Sequence, residues 1–526
     1  MKRSWSLMRI GMVFILVTAV IGGTVAAAAV AMPQQDIAEV HIAQIGNPVA
    51  LSCPDWSSSD EADVLQHFAE QPFQFDRQNV LQPMLVERFE MLDPTEWILH
   101  LRKGVKFHDP AYGEMHADDF VASLDFCFQE GSRNLGRIPS SIVNRQVTII
   151  DDYTIRLKLG APGTASLPNH LGNWIFVSAK EYMQTMGDKF TRRPMGTGPY
   201  RFVEWVPNVR IVGERFEDYW GEKPAAKRVV WRIISDAFTR KSEFLTGGID
   251  LLPFLVPEVV PEVEANPKTR VESVLSSRYI FVVLPVSVPP FNDKRVRQAL
   301  NYAVNKQEIV DQLFRRIGAR SLTGVVHPML PEADPNRLGY PYDPAKAKRL
   351  LDQARADGVK IGTIRLFSPN DRYTLDKEMG EAVAGYWRSI GLQVEYHPES
   401  RTSLFPRLMA LKMQAPTLIG NGNGLLRAEF PFELWLQFRD KPKSRGAAYA
   451  SPHPASWDQD INRLGLLTSG SPAALKLAHD MDRTWTEFAP WVFLVNFQDL
   501  YGVSNTIEWK PYSTEQRPLV DIKPRK

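Results

Sequence analysis

Apolar and polar residues interleave over Glu39–Ile45, with Val40, Ile42 and Ile45 set among Glu39, His41 and Gln44. This pattern predicts a first strand. Trp97, Leu99 and Leu101 share one face of a second. Val147–Ile150 and Tyr153–Leu159, separated by Asp151-Asp152, predict a hairpin. Trp174–Val177, Val229–Ile234 and Ile249–Leu252 read as further strands. Helices fall between them. Ala117–Leu124 opens with Asp118 and Asp119, acids suited to a helix start. Ser178–Glu181 opens another helix, and Asp236–Leu245 is stopped by Gly247-Gly248. The β–α–β alternation predicts an α/β or mixed sheet.

The pattern continues in a second unit after about residue 280. Ser277–Val286 predicts a strand. Asn292 or Asp293 then caps a helix with Val296, Ala299, Leu300, Ala303 and Val304 on one face and Arg295, Arg297, Asn301 and Lys306 on the other. Asp343-Pro344 starts a second helix, through Ala347, Leu350, Leu351 and Ala354 to Gly358. A third spans about Leu375–Ile390, stops at Gly391 and yields the strand Leu392–Tyr396. Trp491–Phe497 is a buried strand followed by a polar tail. Within the first unit lies Pro194–Phe202, with two Pro and two Gly in nine residues, a tight turn feeding a hairpin.

The chain's beginning changes the picture of where it acts. Lys2, Arg3 and Arg9 precede the apolar run Ile10–Val20, and Ala29-Val30-Ala31 supplies a cleavage signal, so residues 1–31 read as a secretory leader. Removing 31 of the 526 residues leaves 495. It takes three basic residues and no acid with it, moving the net charge from +2 to about −1. A near-neutral chain argues against nucleic acid and anionic membrane surfaces as partners. The length suits about three structural units at ~100–200 residues each. Cys53 and Cys127 are the only cysteines, and an oxidising compartment permits their pairing without requiring it.

Candidate chemistry is sparse. The loop Ser52–Ser59 follows the first strand, a place where α/β proteins often build sites, and makes Asp55 and Trp56 candidates for ligand binding. His100, His108, Asp109, His116, Asp118 and Asp119 fit no compact metal-ligand spacing, and no metal or cofactor is expected. No G-x-S-x-G, H-E-x-x-H or P-loop occurs, so no enzyme is expected.

Five segments in order carry a resemblance: Leu99–Asp109 with Ala117–Asp125, Gly196–Trp205 with Asp218-Tyr219-Trp220-Gly221, Pro289–Val310, Tyr342–Ala354 and Trp387–Tyr396. Together they resemble the solute-binding proteins of ABC importers, in the class that includes dipeptide-, oligopeptide- and nickel-binding members (family 5). The resemblance covers about Ala38–Val503. It implies a two-lobed α/β fold of the periplasmic-binding-protein type, with an extra subdomain inserted in the first lobe. The implied layout is a first lobe at 32–278 with the insertion at about 60–170, a second lobe at 279–496, and a return to the first at 497–526. The lobes would be joined by crossings near Ser276–Val283 and Phe493–Asp499.

The resemblance further implies a periplasmic, monomeric receptor that closes over a solute and docks on an inner-membrane ABC permease. Peptide-binding members hold the ligand's ammonium with an Asp in a Gly/Trp-rich segment. The matching stretch here, Gly420–Leu426, has no Asp, and Glu429 is the nearest acid. Asn421, Gly422 and Asn423 are then the candidates there. Arg372 matches the family's carboxylate-binding Arg, and Trp174, Trp435 and Trp457 are candidates to line the cleft. A sensor or chaperone presenting a ligand, and a receptor for a sugar or metal chelate, stay open as alternatives.

Overall fold

The computed structural model describes residues 35–525, except 56–58, 94, 133–139, 161–166, 410–413, 422–453, 455, 468–469 and 515. The leader expected at 1–31 lies outside the described residues. Among the described residues no helix is long and apolar enough to cross a membrane.

Among the described residues, one sheet of eleven strands runs through the molecule. Its strands are β1 (Val40–Gln44), β2 (Tyr200–Val206), β3 (Arg210–Arg215), β4 (Arg228–Ile233), β5 (Leu251–Leu252), β6 (Thr269–Val283), β7 (Ala319–Ser321), β8 (Ile364–Pro369), β9 (Val394–Glu399), β10 (Thr417–Asn421) and β11 (Trp491–Ser504). The order across it is β9-β8-β10-β6-β11-β5-β1-β4-β3-β2, with β7 also on β11. The long antiparallel pair β6 and β11 is therefore the seam. To one side lie β8, β9 and β10; to the other, β5, β1 and β4.

The helices used below are α1 (Ala117–Cys127), α2 (Ala237–Thr246), α3 (Lys294–Tyr302), α4 (Pro344–Ala356), α5 (Asp376–Ser389) and α6 (Pro472–Phe488). Two starts follow caps read in the sequence, Asp293 and Asp343, and Asp236, read as a first helical residue, is a cap as well. Asp236 accepts from Thr239 N (2.7 Å), Asp293 from Arg295 N (2.8 Å) and Asp343 from Lys346 N (2.7 Å). Gly247 ends α2 at φ +91°, where a glycine is least strained.

Two lobes result, each with its own cores. The first draws on β1, β4 and residues 64–231, and the chain end returns to it with Trp509, Leu519 and Ile522. An antiparallel four-stranded sheet, in the order Val86–Asp93, Glu96–Leu101, Thr154–Lys158, Gln146–Asp151, packs into this core. The second lobe packs α3, α4 and α5 on one face of β6, β8 and β10, and α6 on the other. The architecture is the two-lobed α/β fold with an added subdomain.

The turn Pro194–Pro199 is set against the chain at His67–Glu70. Gly198 N donates to Phe68 O (3.1 Å) and Tyr200 N to His67 O (3.1 Å). A Cβ on Gly198 would lie 2.4 Å from His67 O, so only glycine fits. Glu70, fully buried, accepts from Thr197 Oγ1 (2.7 Å), Trp220 Nε1 (2.8 Å) and Tyr219 OH (2.7 Å). The two sequence motifs are thus parts of one buried knot.

Two sequence expectations are corrected. Trp174 ends a helix, Leu167–Trp174, and Ile175–Val177 form no strand. Their donors go singly to other partners, Ile175 N to Leu171 O and Val177 N to Glu70 O. Arg297, Asn301 and Lys306 are not on a solvent face but buried. Arg297 donates to Phe488 O (2.8 Å) and Phe291 O (2.7 Å), Asn301 to Trp491 O (2.8 Å) and Lys306 Nζ to Leu322 O (3.3 Å). Arg517 is buried against Asp63, Nε to Oδ2 at 2.8 Å.

Candidate functional site

The seam carries a break. β6 and β11 pair from Thr269 opposite Ser504 to Val283 opposite Trp491, with a register shift in the middle. Leu275 faces Gln498 and Tyr279 faces Asn496, so Ser276–Arg278 span what Phe497 alone spans on the partner. Such a bulge bends a ladder and frees backbone groups. Here side chains take them up. Ser276 O accepts from His327 Nε2 (2.8 Å) and from Asn496 Nδ2 (2.8 Å), and Arg278 O also accepts from Asn496 Nδ2 (2.7 Å). Ser277 N donates to Ser513 O (2.9 Å). His327 Nδ1 accepts from Met329 N (3.2 Å), so the ring acts as a neutral imidazole. Burial lowers its pKa to about 4, in keeping with that state.

Strand ends converge on this break from both sides. β10 runs antiparallel to β6 and ends with Asn421 opposite Tyr279. β8 runs parallel to β10, and its end at Pro369 leads into the loop that carries Arg372. β5 runs antiparallel to β11 from the other lobe and ends just short of Phe254. Carboxyl ends of strands facing a crevice are the usual ligand-binding place in open α/β sheets. Tyr373 OH donates to Gly420 O (3.1 Å), fastening the Arg372 loop to the end of β10. Asp376 Oδ2 accepts from Arg372 N and Tyr373 N, both at 2.9 Å, and fixes the loop's turn. A pocket at the break is lined by Phe254 from the first lobe, Thr374 from the second, and Arg278, Phe497 and Asp499 from the crossings. Arg278 is ion-paired with the buried Asp499.

The residues expected from the sequence fall in different places. Arg372 is exposed beside the convergence, its guanidinium 5.6 Å from the Tyr373 ring. Asn421 closes β10 at the break. Asp55 is half-buried in the turn after β1, where its Oδ2 accepts from Ser52 Oγ (2.7 Å). The adjacent Cys53 forms a disulfide with Cys127 at the end of α1, which fixes that loop to the first lobe. Trp174 is 7% exposed within the first core. Trp457 stacks on Trp485 at 4.6 Å in the second lobe's core. Trp56, Gly422, Asn423 and Trp435 lie outside the described residues, as does Glu429.

Sequence reading passed over Phe254, Arg278 and Asp499. A signal was there. Arg278 and Asp499 are opposite charges, the only ones in Ser276–Val283 and Phe493–Asp499, the stretches that the resemblance already makes crossings.

The profile of the bacterial extracellular solute-binding proteins, family 5 middle, matches residues 80–437. Heme-binding protein A of Haemophilus influenzae is 29% identical over 339 residues, 60% of this chain and 61% of that protein. Glutathione-binding protein GsiB of Pectobacterium atrosepticum is 28% identical over 494 residues, 89% of this chain and 91% of that protein. The match thus spans about three-fifths of the first relative's length and most of the second's. Among solved structures, NikA of Brucella suis in complex with Fe(III)-EDTA superposes with a TM-score of 0.80 at 21% identity, covering 93% of this chain and 100% of that one. DppA of Helicobacter pylori in complex with the peptide STSA gives 0.77 at 20%, covering 94% and 99%. These structures share the fold.

Proposed function

Since the chain belongs to the bacterial extracellular solute-binding proteins of family 5, we propose that it is the receptor of an ABC importer. It captures a small organic solute, peptide or peptide-like, between its lobes and hands it to a membrane permease. The observation that carries this is the convergence of β8, β10 and β5 on the broken seam Ser276–Arg278. Strand ends from two lobes supply two walls, and the bulge between them supplies the bend. A solute touching both walls binds the closed form better and shifts the population toward it. Relatives named for dipeptides and for glutathione support the peptide-like class. The protein acts as a monomer, without catalysis, after export to the periplasm.

A second reading, a receptor for a metal chelate, is favoured by the likeness to NikA holding Fe(III)-EDTA. Native mass spectrometry of protein purified from the exported fraction separates the two. A bound mass that fragments as a peptide supports the first, and a metal isotope pattern supports the second. Small-angle scattering then tests closure. Contraction on adding the identified solute is expected, and an unchanged radius of gyration would rule the hinge out.

A further inference from the structure

The crossing strand β6 is gripped by different lobes at two successive residues. Ser276 O accepts from His327 Nε2, and His327 lies in the segment Leu322–Leu330, whose apolar residues belong to a core of the second lobe. Ser277 N donates to Ser513 O, and Ser513 lies in the chain end that returns to the first lobe's core. The other crossing strand, β11, is held in the same way. Gln498 N donates to Gly318 O (3.0 Å) at the start of β7, and Leu500 O accepts from Leu255 N (2.8 Å) just past β5. A strand held by two bodies on either side of one short stretch bends there when the bodies rotate.

One side chain closes a circuit around the bend in β6. Asn79 stands at the tip of the hairpin formed by Phe73–Phe75 and Leu81–Pro83 in the first lobe. Its Oδ1 accepts from Ser513 Oγ, and its Nδ2 donates to Met329 Sδ at 3.6 Å. Met329 N donates in turn to His327 Nδ1 (3.2 Å). The circuit therefore runs from Ser276 through His327, Met329, Asn79 and Ser513 back to Ser277. Its step from Asn79 to Met329 passes directly from one lobe to the other.

The hairpin tip is built to hold Asn79 in place. Asn79 adopts φ +61°, a region that asparagine tolerates better than most residues. Asp76 Oδ1 accepts from Gln78 N and Val80 N, both at 2.9 Å, and Asp76 O accepts from Asn79 N (3.0 Å). Arg77 is ion-paired with Asp521 of the returning chain end at 2.6 Å. The tip is thus a fixed arm of the first lobe. A thioether is a weak acceptor, so the link at its end is one that lobe rotation can break. Arg315 and Glu258 also face each other across the lobes, at 3.8 Å, but both are exposed and such pairs contribute little.

We propose that Asn79 and Met329 form a clasp that favours this lobe arrangement before any solute is bound and that parts when the lobes turn about the bend at Ser276-Ser277. The proposal rests on the receptor reading above and adds a pair of residues that tunes affinity through the lobe populations. A solute that requires another arrangement has first to open the clasp.

The test needs no solute. Spin labels on cysteines introduced at the exposed Lys223 of the first lobe and Lys348 of the second report the distance between lobes in the mature protein, read by double electron–electron resonance. Asn79→Asp keeps the acceptor for Ser513 and removes the donor to Met329. Met329→Leu keeps the bulk and removes the acceptor. Each is expected to raise the population outside the wild type's main distance by about two- to fivefold, the scale of one weak hydrogen bond. The double variant should go no further, since both changes remove one contact. If Asn79→Asp does not fold, Met329→Leu carries the test. An unchanged distribution in Met329→Leu, or effects that add in the double variant, overturns the clasp. Either outcome leaves the receptor reading standing, because its hinge is tested separately by scattering with the identified solute.

Discussion

The Thr197 hydroxyl donates to Glu70 at 2.7 Å, and with this contact the turn Gly196–Pro199 is tied to the segment His67–Glu70. Trp220 and Tyr219 complete the set around the same carboxyl. Glu70→Ala would leave three donors unpaired, the buried Thr197 and the half-buried Tyr219 and Trp220. A loss of about 3 kcal/mol or more is expected in urea denaturation, at ~1–3 kcal/mol per orphaned group. Glu70→Gln, which keeps an acceptor, should lose less. Equal stability of the alanine variant would mean that water replaces the carboxyl.

Gly198 stands 2.4 Å, from the position of an added Cβ, from His67 O. Backbone cannot yield as a side-chain tip can. Gly198→Ala should cost about 1–3 kcal/mol, the range for overpacking. A melting temperature equal to the wild type's would show that the turn can shift bodily.

The Cys53–Cys127 disulfide bridges a separation of 74 residues. Replacing both cysteines by alanine should lower stability by about 2–4 kcal/mol. Adding dithiothreitol should bring the wild type down to the variant's level and leave the variant unmoved. A reductant effect on the variant would point elsewhere.

Acid should destabilise the protein through its buried histidines. Burial lowers His67, His108 and His327 from 6.5 to about 4. Between these values the unfolded chain binds protons that the native one does not, so stability falls as pH drops from 6.5 toward 4. Glu70 works against this. Burial raises it from 4.5 to about 7, so its contribution is full below 4.5 and is lost as pH rises through 7. His327→Gln should therefore flatten the dependence near pH 5.5, and Glu70→Gln should steepen it, each by about 1.4 kcal/mol per pH unit for one proton. Denaturation midpoints across pH 4–7 would show both, and parallel profiles would refute the buried neutral histidines.

Arg372 is exposed at the end of β8 beside the strand convergence. If it holds an anionic part of the solute, Arg372→Ala should weaken binding about tenfold in titration calorimetry with the solute identified from the purified protein, and Arg372→Lys should recover part of it. Unchanged affinity in the alanine variant would remove Arg372 from the site.

What the sequence determined by itself was local. Asp236, Asp293 and Asp343 cap the helices they precede because a cap depends on residues within one turn. The alternation over Trp97–Leu101 gave its strand, since period two needs only one buried face. Tertiary structure decided the rest. Arg297, Asn301 and Lys306 looked solvent-facing by polarity, yet they are buried because carbonyls of Phe488, Trp491 and Leu322, distant in sequence or across a loop, accept from their donors. Whether Cys53 meets Cys127 depended on how the loop after β1 packs on α1. Above all, Arg278, Phe254 and Asp499 become one pocket only because β5, β6 and β11 are neighbours in the sheet. Pairing between strands more than two hundred residues apart is set by which apolar faces can be buried together, and no window of sequence contains that information.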